Sequence, residues 1–502
     1  MRPTFMGFET AKRGLMANQK GLDITGHNLT NVNTRGYTRQ RVDFVSVTMS
    51  GQNSRYPVNQ AAFAGQGVNV NGVSQIRNAF LDKRFREECG DVGYYDQSAA
   101  ILSDVELALD EIQGTGLQGA MKSITEALQN FSSNADQVTH ANIVLTSVKN
   151  LTQILHQFDT KLNNIAEQQK FDLNVAVNDV NSILTRIANL NKTISDEVFT
   201  NSEYTNEYYG PNELLDERNL LLDELSTYGA LTVYPNKDGS VKVEFNGKTV
   251  VEGSTYDTLE LHAGNTVSLT WQSSGKKADL PTGSLKAYVN MLNGRGTAAT
   301  GEENFSKGIP YFKDKIDAFA QQFARLFNQT VPDCDDAGTP GHDPHDPTGT
   351  RFKALLQGGA DGTITAGSLT VTDVWNDNPG YIIPPGCVSG GEKNNPHILA
   401  LKNRFNEKIS FGEFEGTFGE YVNFYNTTIG QEATFYSTRL KATAAIADNL
   451  LDNRDAISGV SPDEEGTNLM LYDKAYKAIG RLMTVMDEAL DVLINRTGMV
   501  GR

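Results

Sequence analysis

The sequence has few cysteines, a shortage of cations relative to acids, and no long apolar run. Its 44 Lys and Arg residues are outnumbered by 61 Asp and Glu residues, which gives a net charge of -17. Binding to nucleic acid or to an anionic membrane depends on clustered Lys and Arg, so this balance argues against both partners. The apolar segments are shorter than the roughly 20 residues that cross a bilayer, so membrane insertion is not expected.

The three cysteines, Cys89, Cys334 and Cys387, are far apart in the chain. They lack the paired spacing of a zinc site, and they define no disulfide framework. A single Cys334–Cys387 disulfide inside one domain remains an alternative.

The N-terminal segment does not have the pattern of a cleaved secretory signal. Glu9, Lys12 and Arg13 occupy the place where such a signal is apolar. We therefore expect either a cytosolic protein or one that is exported without losing a signal peptide.

Both ends of the chain repeat at heptad spacing, which is typical of coiled-coil helices. The N-terminal repeat alternates large apolar residues with small or polar ones, in the order Phe8, Ala11, Leu15, Asn18, Leu22, Thr25, Leu29 and Val32. The C-terminal repeat is more apolar and consists of Leu469, Tyr472, Tyr476, Ile479, Met483, Met486, Leu490 and Leu493. Ser461, Pro462 and the acids that follow predict the start of this second helix. The two helices are expected to pair, and separate packing of each on its nearest domain is the alternative.

The middle of the chain combines long helical patterns with short stretches of strand pattern. An apolar helical repeat continues from 142 to 198, and a period of two begins near 231, with Asn246-Gly247 predicting a hairpin turn. The fold class we predict is α+β, mainly α, with a long helical body, paired terminal coiled-coil helices and inserted small β domains. The predicted domains are a terminal coiled coil (1–60 with 461–502), a helical body (61–230 with 300–330 and 397–460), a β insertion (231–299) and a variable loop and β insertion (331–396).

Two segments have residues of the kind that bind ligands, and both have a simpler explanation. Gly114 to Gly119 has the glycine spacing of a dinucleotide-binding loop, but a helical pattern precedes it where a strand is required. His342 and His345 lie among aspartates without the spacing of a known metal site, which favours a solvated acidic loop. The sequence therefore predicts no catalytic residues, no metal site and no cofactor. A metal-dependent or enzymatic module in 331–396 is kept as a minor alternative.

The segment from Gly21 to Gln40 resembles the N-terminal signature of the flagellar axial proteins, the family of rod, hook and hook-associated subunits. The matching residues are Asn28, Leu29, Thr30, Asn31, Thr34, Gly36 and Tyr37. The C-terminal segment resembles the closing helix of the same family through Asp463-Glu464-Glu465, Asn468-Leu469, Tyr476 and Leu493-Ile494-Asn495. Segments of the body, including "NLLDNRDAISGVS", are most similar to the hook-associated branch.

The resemblance implies a structural subunit that is secreted by flagellar type III export without a cleaved signal and forms the junction ring between hook and filament. A hook or distal-rod axial protein is the alternative. The implied partners are further copies of the chain, the hook protein, a second hook-associated protein and a cytoplasmic export chaperone. The residues expected in axial assembly are Phe8, Leu15, Leu22, Asn28, Leu29, Asn31, Gly36, Tyr37, Leu469, Tyr472, Tyr476, Ile479, Met483, Met486, Leu490 and Leu493. The chaperone is expected to bind Tyr476, Ile479, Met483 and Met486.

Overall fold

A computed structural model describes residues 6–47, 65–109, 116–134, 137–201, 211–301, 303–333, 342–343, 346–350, 352–383 and 396–496. The chain forms two compact units. Unit 1 comprises residues 1–92, 179–258 and 443–502, and unit 2 comprises residues 93–178 and 259–442. Three of the four divisions fall inside long helices, which are α2 (Ala79–Leu109), α4 (Val138–Asn201) and α10 (Phe418–Ser458), and the fourth falls between residues 258 and 259.

Unit 1 contains the two terminal helices, one further helix, two small sheets and portions of α2, α4 and α10. Its own helices are α1 (Met6–Thr30), α5 (Asn212–Tyr228) and α11 (Pro462–Asp491). Its strands are β1 (Gln40–Ser46), β2 (Val68–Gln75), β3 (Leu231–Pro235), β4 (Val241–Phe245), β5 (Lys248–Glu252) and β6 (Thr255–Tyr256). Strands β1 and β2 form an antiparallel pair, and β3 to β6 form an antiparallel sheet in sequence order.

The hairpin between β4 and β5 has the turn that its sequence predicts. Asn246 and Gly247 have φ values of 52° and 76°, so both central residues are left-handed, as a type I′ turn requires. Val243 and Phe245 are fully buried on one face of this hairpin, as the alternating pattern indicated.

The predicted start of α11 is confirmed. The Ser461 hydroxyl accepts a hydrogen bond from the Glu464 backbone N–H, and Pro462 occupies the first turn. Asp463, Glu464 and Glu465 place negative charge at the positive end of the helix dipole.

Unit 2 is built from helices with short strand pairs between them. Its helices are α3 (Leu117–Ser133), α6 (Ser284–Asn293), α7 (Ile309–Asn328), α8 (Asp373–Asp377) and α9 (Pro396–Arg404). Its strands are β7 (Leu259–Ala263), β8 (Val267–Trp271), β9 (His342–Asp343), β10 (Asp346–Thr350), β11 (Leu356–Gln357), β12 (Thr370–Val371), β13 (Ile409–Ser410) and β14 (Glu415–Gly416). These strands form antiparallel pairs, which are β7 with β8, β9 with β10, β11 with β12 and β13 with β14.

The core of unit 2 is aromatic. The apolar face of α7 supplies Phe319, Phe323 and Phe327, all at most 1% exposed. Phe418 of α10 contacts Phe319 edge to face, with ring centroids 5.3 Å apart. Buried aromatic side chains each remove about 150–250 Å² from water, so this cluster dominates the packing of unit 2.

The mainly α fold class is confirmed, and α4 extends the predicted 142–198 helix at both ends. The predicted β region is grouped differently: β3 to β6 belong to unit 1, β7 and β8 to unit 2, and α6 lies within 231–299. Helix α2, not a strand, precedes the glycine-rich segment 114–119, which favours the turn interpretation, although Gly114 lies outside the described residues. Cys334, Cys387 and His345 also lie outside them.

Candidate assembly site

The two terminal helices of unit 1 pack against each other in an antiparallel pair. Glycines recur at intervals of seven on α1, and each faces a large side chain of α11. The pairs are Gly7 with Met486, Gly14 with Ile479, and Gly21 with Tyr472. Glycine lets a neighbouring side chain approach the α1 backbone more closely than any other residue would.

The observed seam of α1 differs from the predicted one by one position. Ala11 and Thr25 are buried and Asn18 is half-buried, as expected, but the other half of the seam consists of Gly7, Gly14, Gly21 and Asn28. The large residues predicted there are less buried: Phe8, Leu15 and Leu22 are half-buried and Leu29 is 40% exposed. The physical reason is steric, because α11 supplies the large side chains of this seam and α1 must supply space for them.

On α11 the predicted repeat lies toward α1. Tyr472, Tyr476, Ile479, Met483, Met486 and Leu490 are half-buried, whereas Leu469 and Leu493 at the two ends are 38% and 53% exposed. Phe44 of β1 also contacts Tyr472, with ring centroids 6.2 Å apart.

A second apolar repeat of α11 lies beside the first and faces solvent. It has alternating intervals of four and three residues, and we call it the outer stripe: Leu471, Ala475, Ala478, Leu482, Val485, Ala489 and Val492, the last of which directly follows the end of α11. Its large members are 62%, 50%, 60% and 45% exposed, in the order Leu471, Leu482, Val485 and Val492. This stripe was not among the sequence-based predictions, although its heptad spacing is visible in the sequence. A helix with two adjacent heptad faces can pack against two helices at once.

The turn after α1 is organised by Asn28, which is 1% exposed. Its side-chain oxygen accepts hydrogen bonds from the Tyr37 hydroxyl at 2.7 Å and from the Gln40 backbone N–H at 3.0 Å. Its amide nitrogen donates to the Gln40 carbonyl at 2.9 Å. Asn28 thus joins the end of α1 to Gln40, the first residue of β1, twelve positions later. Asparagine side chains favour such hydrogen bonds to the backbone of a turn.

Asn31 and Gly36 complete this turn. The Asn31 amide donates to the His27 carbonyl at 3.0 Å, and its oxygen accepts from the Thr34 hydroxyl at 3.1 Å. Gly36 has a φ of 83°, a left-handed conformation that side chains disfavour. Asn28, Asn31 and Gly36, which were expected among the assembly residues, thus form the turn after α1.

Arg39 ties the turn to the start of α11. Its guanidinium donates to Glu464 at 2.6 Å and to Glu465 at 2.7 Å, and its backbone N–H donates to the Ser458 carbonyl at 2.9 Å. Glu465 is 2% exposed, and Arg39 is the ionic partner of this buried side chain. Arg41 in the same segment also pairs with an acid, Asp43, at 3.0 Å.

Helix α5 holds the other side of the turn through Asp216. This carboxylate accepts from the Thr38 backbone N–H at 3.2 Å and from the Gln75 amide at 2.8 Å. Burial raises the pKa of Asp216, and the hydrogen bonds from Thr38 and the charge of Arg77 offset part of that rise. Burial also raises the pKa of Tyr37, and the nearby carboxylate of Asp216 adds to this effect.

An ion cluster beneath the turn joins α2, α5 and the end of α10 inside unit 1. Asp223 accepts from Arg86 at 2.7 Å and from Arg454 at 2.6 Å. Arg77 pairs with Asp82 at 2.8 Å and also donates to the Thr38 hydroxyl at 3.0 Å. These charges are mutually satisfied, so the cluster stabilises the position of the turn.

The described residues contain no group of three or more His, Cys, Asp or Glu that could hold a metal ion. In the same part of the chain, no helix is long and apolar enough to cross a membrane. Parts of the 331–396 segment, where a metal-dependent or enzymatic module was the minor alternative, lie outside the described residues, namely 334–341, 344–345, 351 and 384–395.

The comparisons with known proteins agree with one another. Residues 102–343 match the model of the flagellar hook-associated protein FlgK helical domain, and residues 8–38 match that of the flagella basal body rod protein. The chain is 31% identical over 530 residues to flagellar hook-associated protein 1 of Bacillus subtilis, with 100% of both chains covered. It is 23% identical over 566 residues to the protein of that name from Salmonella typhimurium, with 97% of this chain and 98% of the relative covered.

A solved structure shares the fold. It is the flagellar hook junction protein FlgK from Burkholderia pseudomallei, with a TM-score of 0.57, 13% identity, and coverage of 75% of this chain and 100% of that one. Together with the full-length relative from Bacillus, the matches show that the chain belongs to the flagellar hook-associated protein 1 family, a structural family of the bacterial flagellum.

Proposed function

We propose that the chain is a ring subunit of the junction between flagellar hook and filament, and that α1 and α11 pack against the same helices of neighbouring copies. Membership in the hook-associated protein 1 family supports a structural role at this junction. The observation that carries the ring proposal is the outer stripe, an apolar heptad face of α11 that α1 leaves open to solvent.

The outer stripe is long enough to drive association between copies. It presents four large apolar side chains that are each about half exposed. Full burial of such a side chain contributes about 1.5–3 kcal/mol, so burying the remaining half of each contributes roughly 1 kcal/mol. Summed over many copies, contacts of this size stabilise a closed ring.

The N-terminal residues expected to take part in assembly, on α1 and in the turn after it, fall into two groups under this proposal. Phe8, Leu15, Leu22 and Leu29 retain exposed surface beside the glycine seam and extend the face that neighbouring copies contact. Asn28, Asn31, Gly36 and Tyr37 act indirectly, because they fix the turn that positions α1. Hook protein on one side and a second hook-associated protein on the other would be the axial partners.

Export without a cleaved signal, through the flagellar type III route, requires that α11 be kept from premature pairing. The predicted chaperone face, Tyr476, Ile479, Met483 and Met486, lies toward α1 in the folded chain. The chaperone and α1 therefore cannot bind this face of α11 at the same time. An amphipathic helix held in an apolar groove is a common form of such recognition.

The experiment compares two single changes on α11 in motile cells. Leu482→Asp places a charge in the outer stripe, while Met470→Asp makes the same kind of change on the polar face, where Met470 is 56% exposed. We expect Leu482→Asp to leave hooks intact and filaments detached, because a carboxylate buried between apolar helices costs several kcal/mol. Met470→Asp should remain motile. Normal filaments with Leu482→Asp would refute the ring contact, and loss of the hook itself would favour a hook or distal-rod role.

A further inference from the structure

Helix α11 is attached to unit 1 by little buried surface. All 30 of its residues are described, and Glu465 alone is buried. Helix α5, which has 17 residues, has seven buried ones. Along its length α11 packs on α1, and Phe44 of β1 adds a ring contact with Tyr472. Elements with few buried side chains open at a lower free energy than the core beside them, so α11 is expected to open locally while the rest of unit 1 stays folded.

The buried residue of α11 lies at the end where the helix joins the rest of unit 1. Arg39 donates to Glu465 from Nε and to Glu464 from Nη1, and the Arg39 side chain is 18% exposed. The Arg39 backbone N–H also donates to the Ser458 carbonyl, shortly before α11 begins. Removing one member of a buried ion pair leaves an uncompensated charge and is far more costly than removing both. This pair is therefore the contact whose loss releases the start of α11.

The start of α11 also allows the helix to move without unfolding. Its N-cap is local, because the Ser461 hydroxyl accepts from the Glu464 backbone N–H within the same segment. Gly459 forms a tight turn before it: the Gly459 N–H donates to the Asp455 carbonyl at 2.8 Å, and a Cβ at this glycine would lie 2.5 Å from that oxygen. Short segments between elements, often with small residues, absorb the backbone rotation of hinge motions. Residues 459–461 are thus placed as the hinge of α11.

We infer that Arg39 and Glu465 form a latch that holds α11 closed on α1, and that α11 opens about this hinge as one helix when the latch is released. Opening uncovers the face that packs on α1, which consists of Tyr472, Tyr476, Ile479, Met483 and Met486. The inference rests on the proposed function and names its regulation, because most of this face is also the predicted chaperone site. The latch decides between a closed chain and an open chain that presents an apolar helix face.

Thiol labelling of the purified full-length chain measures the opening of α11. Ile479→Cys places a thiol on the covered face, opposite Gly14, and a maleimide modifies it when α11 opens. The native cysteines are removed by the substitutions Cys89→Ala, Cys334→Ser and Cys387→Ser. A second chain carries Leu222→Cys in place of Ile479→Cys. Leu222 lies on α5 and is 1% exposed, so this chain reports opening of the body of unit 1.

Arg39→Met should raise the labelling rate at position 479 about a hundredfold, corresponding to about 2.8 kcal/mol, because it leaves Glu465 buried without a partner. Arg41→Met is the matched control: Arg41 also pairs with an acid but is 65% exposed, so the rate should change by less than about threefold. Adding Glu465→Leu to Arg39→Met should return the rate to within about tenfold of wild type, because no buried charge is then unpaired. Labelling at position 222 should be unchanged in all of these variants.

Equal rates at position 479 in Arg39→Met and wild type, or no recovery when Glu465→Leu is added, would overturn the latch. A parallel rise at position 222 would show that unit 1 opens as a whole and would overturn the separate opening of α11. Gold labelling of the subunit in cells distinguishes these failures from failure of the proposed function. A subunit at the hook end with unchanged thiol labelling contradicts only the latch, whereas a subunit absent from the hook end contradicts the ring proposal.

Discussion

The glycine seam of the terminal helices predicts that adding a single methyl group at Gly21 destabilises the pair, although alanine normally stabilises a helix. A Cβ at Gly21 would lie 2.9–3.0 Å from three ring carbons of Tyr472, including Cγ at the base of the ring. The ring cannot rotate away from its own base, so Tyr472 or the helix must shift. Gly26 of the same helix is the matched control, because a Cβ there would meet nothing within 4 Å.

Gly26→Ala and Gly21→Ala should change the stability of α1 in opposite directions. Replacing glycine by alanine in a helix interior gains about 1 kcal/mol, and we expect Gly26→Ala to show this gain. Overpacking a close contact costs about 1–3 kcal/mol, so Gly21→Ala should lose up to about 2 kcal/mol after the gain is included. Gly14→Ala should fall between the two, because its contact is Cδ1 at the flexible end of Ile479, at 3.0 Å.

Native-state hydrogen exchange of the α1 amides measures this difference locally, without requiring the whole chain to unfold in one step. Protection of α1 should increase in Gly26→Ala and decrease in Gly21→Ala. Equal increases in the two variants would show that α11 does not pack on the glycine face, and the seam described above would be wrong.

Three further predictions concern the turn. Asn28→Ala should reduce the free energy of unfolding of unit 1 by about 3 kcal/mol, because it leaves the buried backbone N–H and carbonyl of Gln40 without partners. Asn33→Ala, at an exposed position, should change this free energy little. Urea titration measures both variants. Arg39→Ala should lower the free energy of unfolding more than Arg41→Ala does, because Arg39 pairs with a buried acid whereas the Arg41 side chain is 65% exposed. Equal losses for the two variants in the same titration would contradict this. Because the folded pKa of Asp216 is raised above 3.8, its burial penalty is present at neutral pH and disappears as the pH falls through the folded pKa toward 3.8. The stability difference between wild type and Asp216→Asn should therefore change over that range, and a constant difference would contradict the assignment.

Local patterns in the sequence predicted much of unit 1. Ser461 and Pro462 mark the start of α11, Asn246-Gly247 gives the hairpin turn, and the heptads give the paired helices. These features depend on residues close together in the chain. The predicted seam of α1 was off by one position because the glycines at 7, 14 and 21 resemble breaks in a helical pattern. In the structure each of them leaves space for a large side chain of α11.

Other features could not be predicted from the sequence. The Asp223 cluster joins Arg86 and Arg454, which are separated from it by 137 and 231 positions. Nothing in the local pattern selects these partners among the chain's many acids and bases. The grouping of 231–299 into two units likewise depends on contacts between distant parts of the chain.

The proposed ring of subunits at the hook end of the filament can be observed by immunogold electron microscopy of intact flagella. The flagella would carry an epitope inserted at the exposed β7–β8 turn, Gly264-Asn265. We expect a single band of label where hook and filament meet, and loss of that band in Leu482→Asp but not in Met470→Asp. Label along the hook or the filament, or an unchanged band in Leu482→Asp, would show that the subunit does not form this ring through α11.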